Sequence, residues 1–351
     1  MKTTLIGSLP HKDAELATAL IFEYISIPCW AQLPKRNFKE QMHVQYSQNF
    51  PGIIIEDNTQ KIYLNKEKFY LELENFYEKI INKIFEYFVI TPEFSLGIYE
   101  FKKYIDNNIQ TSQIKLQTIG PITFGLTLKD ETNQAIFYDD QIKEAIIKHL
   151  SFKSLWQVRY LLNSLNSRIK EIILFYDEPY LAAYGSAFSA ISKEDILNSL
   201  QILLQDTKFL IKQFYPNINL KIGIHCCANT DWSLLTSLDE LDIISFDAYD
   251  FFKDFSLYIE DIKKFTEKNK IIAWGIIPNT EKIFSENSQT ILEKLKNFIE
   301  ILYKKSLNKE LLVKNLIITP QCGLANSKEE VTKRVLEICN ELNKMNYEVL
   351  L

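Results

Sequence analysis

The sequence predicts a single α/β domain, a (βα)8 TIM barrel, on three observations. Eight short apolar or β-branched runs recur along the chain, longer helical segments lie between most of them, and no Pro/Gly/Ser-rich linker divides the 351 residues. The apolar runs are near-continuous rather than alternating, as in parallel strands covered on both faces. Strands alternating with helices point to a barrel, with a doubly wound open sheet as the second choice. One barrel accounts for a chain of this length, so residues 1–351 are read as one domain.

The predicted strands are "TTLIGS" (3–8), "IPCWAQL" (27–33), "IKLQTIG" (114–120), "EIILFYD" (171–177), "LKIGIHC" (220–226), "DIISFD" (242–247), "KIIAWGI" (270–276) and "NLIITPQ" (315–321). Helical periodicity covers 13–25, 192–214, 288–305 and 327–345. Ser192 with Asp195, and Ser327 with Glu330, have capping-box spacing at two of these starts. Residues 34–113 exceed a minimal βα unit. A hairpin around Asp57–Asn58 (52–65) and an amphipathic helix (65–88) make this stretch an excursion between strands 2 and 3, laid over one mouth of the barrel.

Composition narrows the function classes. Forty basic against 45 acidic residues give a net charge of −5 with no long block of either sign, so neither nucleic acid nor an anionic membrane is an expected partner. The first residues lack the apolar core of a signal peptide, and no apolar run reaches the length of a membrane span. Five cysteines, two of them adjacent, make a poor disulfide framework. A cytoplasmic protein is the expectation.

In this architecture active sites sit at the carboxyl ends of the strands. Ser8, Asp177, Glu178, His225, Cys227, Asp247 and Cys322 all fall there. His225 and Cys227 share a face because alternate strand residues do, which sends Cys226 to the other side. Imidazole, thiolate and carboxylate are zinc donors, so His225, Cys227, Asp247 and Cys322 form a candidate metal set of the catalytic kind. Either half alone is weaker, since a lone cysteine in an apolar strand is usually a small buried hydrophobe. Cys29 and Cys339 are assigned to packing, and His149 to a helix surface. Of the adjacent Asp177 and Glu178, one faces the site and one faces away. A carboxylate there suits either a substrate ammonium or a rim salt bridge. Gly7 permits close backbone approach beside Ser8.

Taken together, "TTLIGSLPH" (3–11), "IGPITF" (119–124), "YDEP" (176–179), "HCCAN" (225–229), "IISFD" (243–247) and "PQCGL" (320–324) resemble, in order, the catalytic barrel of cobalamin-independent methionine synthase. The likeness runs over nearly the whole chain and is loose between the motifs. It implies a zinc-dependent methyltransferase that methylates the thiol of homocysteine to give methionine. It also implies zinc ligands at His225, Cys227 and Cys322, with Asp247 where that family has glutamate. Asp177 matches the acid that holds the substrate amino group. Ile6, Gly7 and Ser8 match the backbone that holds its carboxylate.

The departures bear on the methyl donor. The family's additional N-terminal barrel has no counterpart here, and "WGIIPN" (274–279) lacks its proton-donating histidine. Its His-Gly-Glu after the second strand is replaced by "QLPKRNFKEQM" (32–42), where Glu40 is the one candidate for substrate binding. These losses fall on folate chemistry, so the expected donor is a methylated corrinoid, free or on a partner protein. Three competitors stay open: a superfamily methyltransferase for another thiol such as coenzyme M, a metal-free uroporphyrinogen-decarboxylase-like enzyme, and a non-catalytic corrinoid-handling module.

Overall fold

The protein is described by a computed structural model covering residues 1–107, 111–163, 168–185 and 191–351. Two antiparallel strands come first, β1 (Ile53–Glu56) and β2 (Lys61–Leu64), joined as the hairpin expected around Asp57. Then β3 (Gln113–Ile119), β4 (Glu171–Asp177), β5 (Asn219–Cys226), β6 (Ile243–Phe246), β7 (Ile271–Ile277) and β8 (Leu316–Pro320) form a six-stranded parallel sheet in chain order. The sheet is mixed with helices and fits a TIM-like barrel.

Six of the eight predicted strands are thus continuous strands. The first two are extended segments tied in by isolated parallel bridges, Thr3 to Ile318, Ser8 to Gln32 and Cys29 to Lys115. Composition explains the broken ladder. Pro28 has no N–H to donate, and Gly7 sits at φ +143°, outside strand geometry. What remains are single bonds such as Ile27 N–H to the Thr3 carbonyl (3.0 Å), Gln32 N–H to that of Gly7 (3.0 Å) and Lys115 N–H to that of Pro28 (2.9 Å).

The core has two parts. Ile6, Ile27, Ile173, Phe175, Ile243, Ala273 and Ile317 pack together as a small inner cluster. A larger cluster lies between sheet and helices and includes Cys226 and Cys339, as assigned. Each fully buried isoleucine contributes about 2 kcal/mol of burial free energy.

Helix starts follow their capping chemistry unevenly. Ser192 caps Lys193–Phe214 by accepting from the Asp195 N–H. Ser327 does not cap Glu329–Asn343. Lys328 stands at that cap position without a side-chain bond, because the Ser327 hydroxyl donates to the Asn279 carbonyl (2.7 Å). Within 34–113, of which 108–110 lie outside the described residues, the long helix ends at Ile81 and a 3-10 turn follows at Phe85–Phe88. His149 corrects its surface assignment. It is fully buried on Asp140–Leu162, packed edge-on to Phe50, with Nε2 at 2.8 Å from the Tyr46 carbonyl. No helix among the described residues is long and apolar enough to cross a membrane.

Candidate metal and substrate site

The strand ends open into a cavity of about 220 Å³. Ser8, Asp177, His225, Cys227 and Cys322 supply its chemistry, while Ile6, Pro34, Met42, Pro179 and Ala325 give it apolar walls. Glu40 also reaches it.

The register of β5 sets the metal-type donors. Cys226 points into the outer core, its thiol donating to the Ala228 carbonyl (3.4 Å), so His225 and Cys227 face the cavity together. Cys322, just past β8, joins them. One donor atom from each of His225, Cys227 and Cys322 lies within 4.8 Å of the others. All five cysteines are free thiols.

His225 is prepared as a ligand. Its Nδ1 is 3.0 Å from the Ser245 hydroxyl, which fixes the ring. Its Nε2 is buried with no hydrogen-bond partner. Burial and the Lys115 charge hold the imidazole neutral, its pKa pushed down to about 3. A hydrogen bond from Cys322 pulls the Cys227 thiol down, and the same bond with desolvation pushes the half-buried Cys322 thiol up. A neutral buried nitrogen without a partner beside two thiols is a donor set that fits zinc.

Asp247 is not brought into this group. Its side chain accepts from the Asp250 N–H (3.0 Å) as the cap of Ala248–Phe255, and from the Gln321 amide at both oxygens (3.1 Å each). Gln321 precedes Cys322 in the chain and competes for the same carboxylate. The helix-capping Asp pattern was visible in "FDAYD" and is what sequence reasoning overlooked.

Asp177 and Glu178 divide as expected. Asp177 faces the cavity, with Oδ1 buried and unpartnered. Burial pushes its carboxyl up to about 7, against the pull of Lys115. Glu178 turns away and accepts from the N–H groups of Ile122 (3.0 Å) and Thr123 (2.8 Å) and from the Thr123 hydroxyl (2.6 Å). These are the free donors at the start of Pro121–Thr127. Glu178→Ala is expected to lower stability by about 2–4 kcal/mol, because buried donors lose their acceptor, with zinc content unchanged. Urea unfolding and metal analysis of the folded variant check this.

Among the remaining predicted residues, Gly7 is required by geometry. At φ +143° a Cβ would stand 2.7 Å from the Gln117 side chain. Ser8 packs so closely on the loop after β8 that a Cβ at Gly323 would meet its hydroxyl at 2.1 Å. Glu40 is held by the N–H groups of Leu33 (3.2 Å) and Leu96 (3.3 Å) and by an ion pair with Arg36, so its first role is to shape the 33–41 loop.

Among solved structures, the chain resembles a B12-independent methionine synthase from Shewanella sp. W3-18-1 in complex with selenomethionine. The TM-score is 0.56 at 16% identity, over 99% of this chain and 96% of that one. At that identity the likeness establishes a shared fold. No protein-family model and no curated protein matches the sequence.

Proposed function

We propose that this chain is a zinc-dependent methyltransferase that methylates the thiol of homocysteine to give methionine. One observation carries the reading: three metal-type donors converge in a cavity that also presents an unpartnered buried carboxylate. The bridges from Ile318 through residues 3–8 and 27–32 to Lys115 support a closed eight-stranded barrel around that cavity. The solved relative, a methionine synthase holding an amino acid that is the selenium analogue of the product, supports the substrate class.

His225, Cys227 and Cys322 would hold the metal. A bound zinc ion supplies Lewis acidity that turns a substrate thiol into thiolate at neutral pH. The chain's residues do the rest. Ser245 orients the imidazole, and Asp177 receives the substrate ammonium by charge-assisted hydrogen bonds. The apolar walls keep water from the sulfur and line it up with the incoming methyl group. Asp247 is engaged by Gln321 and the Asp250 N–H, so the three remaining donors would hold the ion and leave it open to substrate. Asp247→Asn is therefore expected to keep its zinc, with affinity lowered less than tenfold. Competition with a chromophoric chelator measures it, and loss comparable to that of a cysteine variant would restore Asp247 as a ligand.

The donor is proposed to be a methylated corrinoid, because residues 32–42 and 274–279 lack the family's histidines. The solved relative is named for independence of B12, so the donor is the point to test. Purified protein is given homocysteine with methylcobalamin or with methyltetrahydrofolate. Methionine from the first supports the assignment, and methionine only from the second overturns it.

A further inference from the structure

Lys115 is a charged residue in the barrel interior that the reading above gives no part in binding substrate. It lies on β3, fully buried, beside Ile173 of β4 in the parallel register. A lysine is almost never placed so unless its ammonium is held. Here it donates to the Ile6 carbonyl and to Gln117 Oε1 (3.2 Å), and it lies 4.8 Å from the centre of the Phe175 ring. Gln117 in turn donates to the Trp30 carbonyl (2.8 Å) and fills the space against Gly7.

Both ends of the lysine's environment lead to the cavity. Ile6 and Ser8 flank Gly7 and line the cavity wall. Gly7 is bound on its outer side through its carbonyl, to the Gln32 N–H, and Ser8 through its carbonyl, to the Leu324 N–H (2.9 Å). No bond from the Ser8 N–H is made among the described residues. Asp177 lines the same cavity, one oxygen unpartnered.

We propose that Lys115 is a positioning residue for the amino-acid end of the substrate. Its ammonium clamps the Ile6 carbonyl and, with Gln117, sets the Gly7–Ser8 backbone to receive the substrate carboxylate. This rests on the homocysteine reading and adds to it a residue that touches neither substrate nor metal.

The test is binding, read by calorimetry on zinc-loaded protein with L-homocysteine and with propane-1-thiol, which has neither ammonium nor carboxylate. Lys115→Met is expected to keep zinc stoichiometry and propane-1-thiol affinity. Its homocysteine affinity falls roughly 30-fold, the scale of a lost charged hydrogen bond, and in turnover KM rises far more than kcat falls. Equal affinity for homocysteine in variant and wild type overturns the proposal, as does equal loss for both thiols. Should Lys115→Met not fold, Gln117→Met keeps the ammonium on the Ile6 carbonyl and removes its second acceptor, the bond to the Trp30 carbonyl and the amide that packs on Gly7. It is expected to bind homocysteine about tenfold more weakly, and unchanged binding counts against the clamp. Wild-type protein that ignores homocysteine sinks the parent reading together with this one.

Discussion

Replacing Cys227 or Cys322 by serine is expected to strip most of the zinc from the protein and abolish methyl transfer, whereas Cys226→Ser keeps both. In the proposed centre three donors would share the metal, one nitrogen and two sulfurs. Zinc sites of this chemistry bind with about 10–16 kcal/mol, so one thiolate accounts for about 3 kcal/mol, on the order of a hundredfold in affinity. Serine is isosteric but does not ionise at neutral pH, so it leaves the position without an anionic donor. Cys226 differs because the pleat of β5 turns it into the outer core, where its thiol donates to Ala228. A serine hydroxyl can make that bond. Metal analysis after dialysis against a weak chelator separates the three variants. Full zinc in Cys322→Ser would refute the proposed centre, and zinc loss in Cys226→Ser would mean that the strand register is wrong.

The strands and the shared face of His225 and Cys227 are legible for one reason, that local periodicity decides both. The near-continuous apolar runs of β3 to β8 are long enough to fix strand type, and alternation along "GIHCC" fixes which side chains share a face. What escaped depends on residues far apart in the chain. Lys115 and Gln117 sit among apolar neighbours, so their sequence context says only that a strand runs there. Their contacts form only when Ile6 and Gly7, distant in the chain, are brought beside them. His149 was misplaced because Asp140–Leu162 is buried on most of its circumference, against the sheet on one side and the 34–107 segment on the other. A helix covered all round loses the amphipathic pattern that marks a surface position. Asp247 was read by analogy of place as a ligand. In the structure the amide of Gln321 and the helix start at Ala248 engage that carboxylate, each a conventional use of aspartate.

Asp177→Asn is expected to separate recognition of the amino acid from recognition of the thiol. Burying a carboxylate with an unpartnered oxygen is costly, and the cost is reflected in a carboxyl pushed up by burial. A ligand ammonium relieves it by supplying both the missing donor and the missing charge. Asparagine has nearly the same shape, so the cavity and its zinc should survive, but it offers only a dipole where the ammonium needs an anion. Losing one partner of such a buried charge pair costs 2–5 kcal/mol or more. About 3 kcal/mol gives a homocysteine Kd raised on the order of 100-fold. The control is 4-mercaptobutanoate, which keeps the thiol and the carboxylate but has no ammonium. Its affinity for the variant should equal or exceed that for the wild type, because its approach no longer meets the charge of Asp177. Parallel loss of both ligands would reduce Asp177 to a structural residue. Unchanged homocysteine binding would take the ammonium away from this wall and favour a thiol substrate that carries none.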